Sequence, residues 1–243
     1  MNNITIKYRR FFRERTIETT FPSCWSEMTP RQFLSLTSRP DDISLLSVML
    51  NVSKRIVKRF SLLQIYELAS LFDFIQKDQK VSSFTLESLR VPGIGTLHAP
   101  LPKLQEMTFM QFVYVDTFYM NYATNPRPET LYNLVSYLYS PKSGFDKLSA
   151  DLNTDKIKKL NHETLEAISL NYGLIRKWIT ERYPLVFPKQ KADRLEKKNE
   201  NSSWLDVFDN VVGDDLKDRD KYATTPINAV FRFITKKIKE SRK

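Results

Sequence analysis

Glu27-Met28-Thr29-Pro30-Arg31-Gln32-Phe33 returns further along the chain as Glu106-Met107-Thr108-Phe109-Met110-Gln111-Phe112. Each copy carries the parts of a helix start. Threonine is the N-cap, whose hydroxyl accepts from a backbone N–H of the first turn. The glutamine three residues on can reach back to the cap's own N–H. Methionine before the cap and phenylalanine at the fourth helical position suit a hydrophobic staple. Pro30 occupies the first helical position, where a missing N–H costs nothing. Two such starts have two readings: internal duplication of a hairpin-plus-helices unit, or convergence on one good cap. Neither specifies chemistry.

Upstream of the first copy, residues 3–9 and 16–21 alternate apolar and polar side chains, as half-buried strands do. Arg10 to Arg15 lie between them as a hairpin tip. Downstream, residues 41–76 carry helical periodicity: Asp41 or Asp42 caps Leu45, Leu46, Met49 and Leu50, and a short helix surrounds Ile56-Val57. Ser61 then caps a helix with Leu62, Ile65, Leu68, Leu71, Phe72 and Ile75 at helical spacing. The second copy is preceded by two more strand-like stretches, Val81 to Leu86 and Ile94 to His98, turning near Val91-Pro92-Gly93. A helix from Phe109 to about Tyr122 is apolar nearly all round, the mark of a buried helix. Helices at about 128–139 and 161–182 follow.

Residues 188–203 are almost wholly polar and read as a linker or a solvated helix. Beyond them, Ser203 caps a helix bearing Trp204, Val207, Phe208, Val211 and Val212. A last helix from Pro226 has Ile227, Val230, Phe231, Ile234 and Ile238 on one face and Arg232, Lys236, Lys237 and Lys239 on the other. The expected fold is therefore mainly α with two small β-hairpin elements. Its expected divisions are 1–80, 81–187, the linker 188–203 and a detachable helical hairpin over 204–243.

Composition narrows the function classes. With 243 residues, 41% hydrophobic and 12% aromatic, the chain is large and apolar enough for one substantial core or two small ones. Five glycines argue against a turn-rich β fold and a glycine-rich phosphate loop. One cysteine, Cys24, excludes an internal disulfide and a cysteine-based zinc site. No run approaches the roughly 18 apolar residues that span a bilayer. The net charge of +10 permits a polyanionic or acidic partner, and residues 1–60 hold eleven basic against five acidic residues.

Enzyme signals are weak. His98 and His162 stand apart from any nucleophile or paired ligand. Gly93-Ile94-Gly95 lacks the third glycine and following helix of a dinucleotide site, and the aspartates at 214, 215, 218 and 220 lack the glycine and glutamate of a calcium loop. No catalytic residue, metal or cofactor is assigned. Two basic clusters remain. Lys7, Arg9, Arg10, Arg13 and Arg15 are interleaved with Tyr8, Phe11 and Phe12, a composition that suits single-stranded nucleic acid. Lys54, Arg55, Lys58 and Arg59 share one face of a short helix at i, i+4 spacing, which suits phosphates. Both are also readable as solvated faces.

The order of these pieces runs from Trp25-Ser-Glu-Met-Thr-Pro-Arg-Gln-Phe33 through Leu101-Pro-Lys-Leu104, Glu106–Phe112 and Leu131–Tyr139 to Tyr183-Pro-Leu-Val-Phe187. It closes on the Trp204 helix and Thr225-Pro-Ile-Asn-Ala-Val230. It resembles uncharacterised proteins encoded among the structural genes of tailed phages and prophages of Bacteroides-like bacteria, some of which look like tail assembly chaperones or tail-region structural components. The resemblance covers most of the chain, and its motifs are helix starts and packing residues. It implies a non-enzymatic morphogenesis protein that binds other virion or tail-assembly proteins, in the host cytoplasm during assembly or in the virion. The expected partner surface is Trp204, Phe208, Phe231 and Ile234. The alternative is nucleic-acid binding through Arg9, Arg10, Arg13, Lys54, Arg55, Lys58 and Arg59. Membrane insertion is not expected, and the oligomeric state is not specified.

Overall fold

Strand alternation near the N-terminus resolves into a hairpin. β1 (Asn2–Arg10) pairs antiparallel with β2 (Arg13–Phe21), Ile6 opposite Ile17. The tip is only Phe11-Phe12, so the flanking arginines lie in the strands rather than in a six-residue loop. The computed structural model describes residues 1–36, 40–76, 82–187 and 221–242. The linker and the Trp204 helix expected over 188–213 and the aspartates at 214–220 lie outside the described residues.

Two compact units divide the chain: Met1–Lys80 with Asn161–Leu170, and Val81–Leu160 with Asn171–Lys243. The fold is mainly α with two small antiparallel two-stranded sheets.

In the first unit, a 3-10 turn (Trp25–Glu27) leads into α1 (Pro30–Ser35). Thr29 caps it, and Gln32 completes the reciprocal box, its Oε1 accepting from the Thr29 N–H at 2.8 Å. Met28 and Phe33 are both buried, as the staple requires. α2 (Asp42–Met49) begins at Asp41, whose carboxylate accepts from the Ser44 N–H. Its C-terminus is fully satisfied. Asn51 adopts φ +50°, Val52 N–H returns to Ser47 O, and Asn51 N–H returns to Val48 O. This is the Schellman arrangement with Asn in the left-handed position. The two remaining carbonyls of the last turn accept from side chains, Met49 from Gln32 Nε2 at 2.8 Å and Leu50 from the Thr19 hydroxyl of β2. α3 (Lys54–Val57), α4 (Leu62–Ser70) and α5 (Asp73–Gln76) follow. The single helix expected after Ser61 is thus two pieces. Leu68 and Phe72 are buried, but Leu62 is exposed.

In the second unit, β3 (Ser88–Val91) and β4 (Gly95–His98) pair across a turn in which Gly93 takes φ +78°. The first strand was expected at Val81 to Leu86; Val81 lies outside the described residues, and for residues 82–86 the expectation is corrected. The tight turn fixes the register, so β4 ends opposite Ser88 and has nothing left to pair with residues 82–86. Their backbone goes to a side chain instead: Thr85 N–H donates to Asn171 Oδ1 at 2.7 Å and Asn171 Nδ2 donates to Ser83 O at 3.2 Å. α6 (Phe109–Thr124) and α7 (Pro128–Leu138) fall where periodicity placed them, as does α9 (His162–Arg182), whose residues up to Leu170 are counted with the first unit and the rest with the second. α8 (Lys147–Ile157), capped by Asp146, does not show in the pattern, because it buries only Ala150 and Ile157 and leaves Leu148 and Leu152 exposed.

The C-terminal α10 (Ile227–Glu240) belongs to the second unit. Phe231 is fully buried, with ring centroids of Phe112, Tyr183 and Phe187 within 5.3 Å. Residues 225–227 pair with the α6 start: Phe109 N–H donates to Thr225 O and Ile227 N–H to Met107 O, both at 2.9 Å. Asn228 donates to Lys103 O at 2.9 Å and accepts from the Tyr183 hydroxyl at 3.0 Å. Exposing Ile227, Val230 and Phe231 would cost roughly 5–9 kcal/mol at about 1.5–3 kcal/mol per side chain. That is comparable to the stability of a whole domain. α10 is therefore not a detachable element.

Candidate functional site

The hairpin carries its basic residues on two faces. Directly paired residues share a face, so Arg10, Arg13 and Arg15 lie on the side of Ile6 and Ile17, whereas Lys7 and Arg9 lie on the other with Glu14 and Glu18. The first of these sides packs toward α3 and α4. The ring centroids of Tyr8 and Phe60 are 6.3 Å apart, and Gln64 of α4 donates to the Lys7 carbonyl at 2.7 Å. The guanidinium of Arg59, just after α3, lies 5.9 Å from the centre of the Phe11 ring, and that of Arg10 lies 6.0 Å from it. The two basic clusters, separate in the sequence, thus meet at one aromatic ring within the first unit.

Phe11 has φ +54°. That region favours glycine or asparagine, and a bulky residue there is strained. Its side chain nevertheless remains 81% exposed, and Phe12 is fully exposed. Lys54, Arg55, Lys58 and Arg59 are all exposed. On α4, Leu62, Leu63 and Tyr66 are 75%, 67% and 73% exposed. Their i, i+3 and i, i+4 spacing makes one continuous patch.

The expected partner surface fares differently. Trp204 and Phe208 lie outside the described residues. Phe231 is corrected: it fills the core of the second unit and presents nothing to a partner. Ile234, one turn on, is half-buried. The amphipathic pattern that suggested a docking face marks a face packed within the chain.

The second unit holds a cleft of about 490 Å³ whose walls include Phe84, Glu87, His98, Pro102, Glu106 and Lys142. His98 reaches it from the end of β4, where its backbone exchanges two hydrogen bonds with Ser140, at 2.7 and 3.0 Å. His162 is elsewhere, 3.2 Å from Glu166 one turn along α9.

A buried ion pair went unread in the sequence. Asp116, in the middle of apolar α6, is fully buried. Arg176 grips it in bidentate fashion, Nε to Oδ1 at 2.6 Å and Nη2 to Oδ2 at 3.2 Å, and the Tyr172 hydroxyl donates to Oδ1 at 3.1 Å. Burial, and then the Asp116 charge, push the Tyr172 phenol well above its usual range. The available signal was one aspartate in a run of apolar residues, which requires a cationic partner. Its second oxygen is taken by the fork of Arg176, so the group is built to be satisfied rather than to react.

Among known proteins, no family model, no curated protein and no solved structure matches the chain.

Proposed function

We propose that the chain is a non-enzymatic phage or prophage morphogenesis protein that acts by protein–protein binding, as a tail assembly chaperone or a structural component of the tail region. The resemblance of its helix starts and packing residues to tailed-phage proteins supports the setting. The mode of action is supported by one observation, the apolar patch of Leu62, Leu63 and Tyr66 on α4. Contiguous exposed apolar side chains on a folded unit mark docking surfaces. The partner is another virion or tail-assembly protein. α4 replaces the C-terminal helix as the proposed surface, because α10 is committed to its own core.

The test is co-expression of the full chain with the products of its neighbouring genes, followed by light scattering of the purified complex. Recovery of a tail-region protein at defined stoichiometry is expected. The pair Leu62→Ser and Tyr66→Ser should lose that protein while keeping an unchanged far-UV circular dichroism spectrum. A complex that survives both substitutions, or the absence of any virion protein from the preparation, overturns the reading.

A further inference from the structure

A different surface of the first unit carries an inference independent of the α4 patch. Arg10 and Arg13 are directly opposed across the hairpin, with Arg15 opposite Tyr8 on the same side. Like charges placed opposite one another destabilise a strand pair. The acidic residues of β2, Glu14 and Glu18, lie on the opposite side and do not relieve this. Among the described residues, none of Arg10, Arg13, Arg15, Arg55, Lys58 or Arg59 is held in an ion pair. Two clusters that repel each other are brought together at Phe11, by Arg10 from the strand and Arg59 from the end of α3.

The tip adds a second cost. A two-residue turn is ordinarily made with glycine or asparagine. Here Phe11 holds a positive φ, and both tip rings face solvent. The rings bury little and the charges oppose one another, so the contacts of Arg10 and Arg59 with the Phe11 ring offset only part of this cost. Strain and repulsion retained together at an exposed tip point to a ligand that relieves them.

That ligand must be anionic at several points and must offer flat apolar faces. Phosphates meet the arginines and lysines, and unpaired bases stack on exposed aromatic rings. In a duplex the base faces are already stacked and only their edges are open. We infer that the tip of the β1–β2 hairpin and the basic face of α3 form a binding site for single-stranded nucleic acid, with Phe11 and Phe12 as stacking platforms and Arg10, Arg13, Lys58 and Arg59 on the phosphates.

The test uses the full chain and fluorescence anisotropy with labelled oligo(dT) of about 20 nucleotides, the matching duplex, heparin, and vesicles with anionic headgroups. Oligo(dT) should bind more tightly than the duplex, with log K falling against log salt at a slope of roughly −2 to −4. Arg10→Glu with Arg13→Glu should weaken every polyanion. Phe12→Ala should weaken oligo(dT) by roughly 5- to 100-fold and leave heparin unchanged. Phe11→Gly relieves the positive φ, so it should raise Tm while weakening oligo(dT). That outcome separates lost function from lost fold. Tighter binding to duplex, oligo(dT) binding indifferent to both Phe substitutions, or binding to vesicles without oligo(dT) overturns the inference. None of these outcomes touches the α4 docking test.

Discussion

The side-chain amide of Gln32 donates to the backbone carbonyl of Met49 at 2.8 Å, so the glutamine that starts α1 also closes the C-terminus of α2. Gln111 does the same in the other unit: its Nε2 donates to Tyr137 O, in the last turn of α7, at 3.0 Å. Helix C-termini leave carbonyls that need outside donors, and both glutamines are buried where water would otherwise serve. In each unit the second hairpin strand bonds the backbone just past that point, through Thr19 to Leu50 and through His98 to Ser140. Hairpin, Thr-capped helix and glutamine-closed second helix therefore recur in the same order. The copies differ in helix length, six residues in α1 against sixteen in α6, and at the cap. Gln32 Oε1 also accepts from its cap's N–H, whereas among the described residues Gln111 Oε1 does not; Gln111 Nε2 donates in addition to Ser140 Oγ at 3.4 Å.

If the glutamines close those helices, removing either amide leaves a buried carbonyl without its donor. Gln32→Leu and Gln111→Leu should each lower stability by about 1–3 kcal/mol. Urea denaturation of the two variants measures this. A loss under about 0.5 kcal/mol at both positions, within the range of an ordinary surface substitution, would show that the bonds are incidental.

Asp116→Asn keeps the shape but strands the Arg176 charge, which is about three-quarters buried. Stability should fall by about 3 kcal/mol, and the double variant Asp116→Leu with Arg176→Met should lose much less, because a buried pair is costly to break and cheap to replace by apolar atoms. Equal losses in the single and double variants would contradict this account.

Gly173 sits inside α9, where alanine would ordinarily gain up to about 1 kcal/mol. A Cβ there would come 2.5 Å from the Tyr119 hydroxyl and 3.1 Å from its Cζ. Tyr119 packs edge-on against Tyr172, with ring centroids 5.2 Å apart. Gly173→Ala should therefore destabilise by about 1–3 kcal/mol, and Tyr119→Phe should relieve part of that loss. Thermal unfolding of the three variants checks the coupling; strict additivity would refute it.

Backbone and side-chain hydrogen bonds from Ser23, together with the Met1 ammonium at 2.9 Å, hold the Glu27 carboxyl down to about 2 from 4.5. A carboxyl with a lowered folded pKa stabilises fully above its unfolded pKa. Its contribution should therefore be complete above about 4.5 and disappear as pH falls toward 2. Carboxyl NMR should show Glu27 titrating near the lower value, and Glu27→Gln should flatten the acid limb of the Tm profile. Titration at the usual carboxylate value would contradict the geometry.

The sequence by itself determined the local pieces. Thr29, Ser61 and Thr108 announced helix starts, because a cap and its target N–H lie within one turn. Ile4, Ile6 and Tyr8 announced β1, because strand side chains alternate whatever they pack on. α9 was legible because its apolar residues recur every three to four positions, the period of a helix. The tertiary structure alone decided what each face meets. Phe231 and Leu62 both sit on apolar helical faces, yet one fills a core and the other faces solvent, since Phe231 meets rings distant in the sequence, Phe112, Tyr183 and Phe187, and Leu62 meets none. Arg10 and Arg59 belong to clusters with no sequence relation until the hairpin packs beside α3. Asp116 interrupts an apolar helix for a reason found only on α9, at Arg176. Caps and periodicity are short-range and therefore readable; which buried faces, charges and rings converge is set by long-range packing that no local pattern encodes.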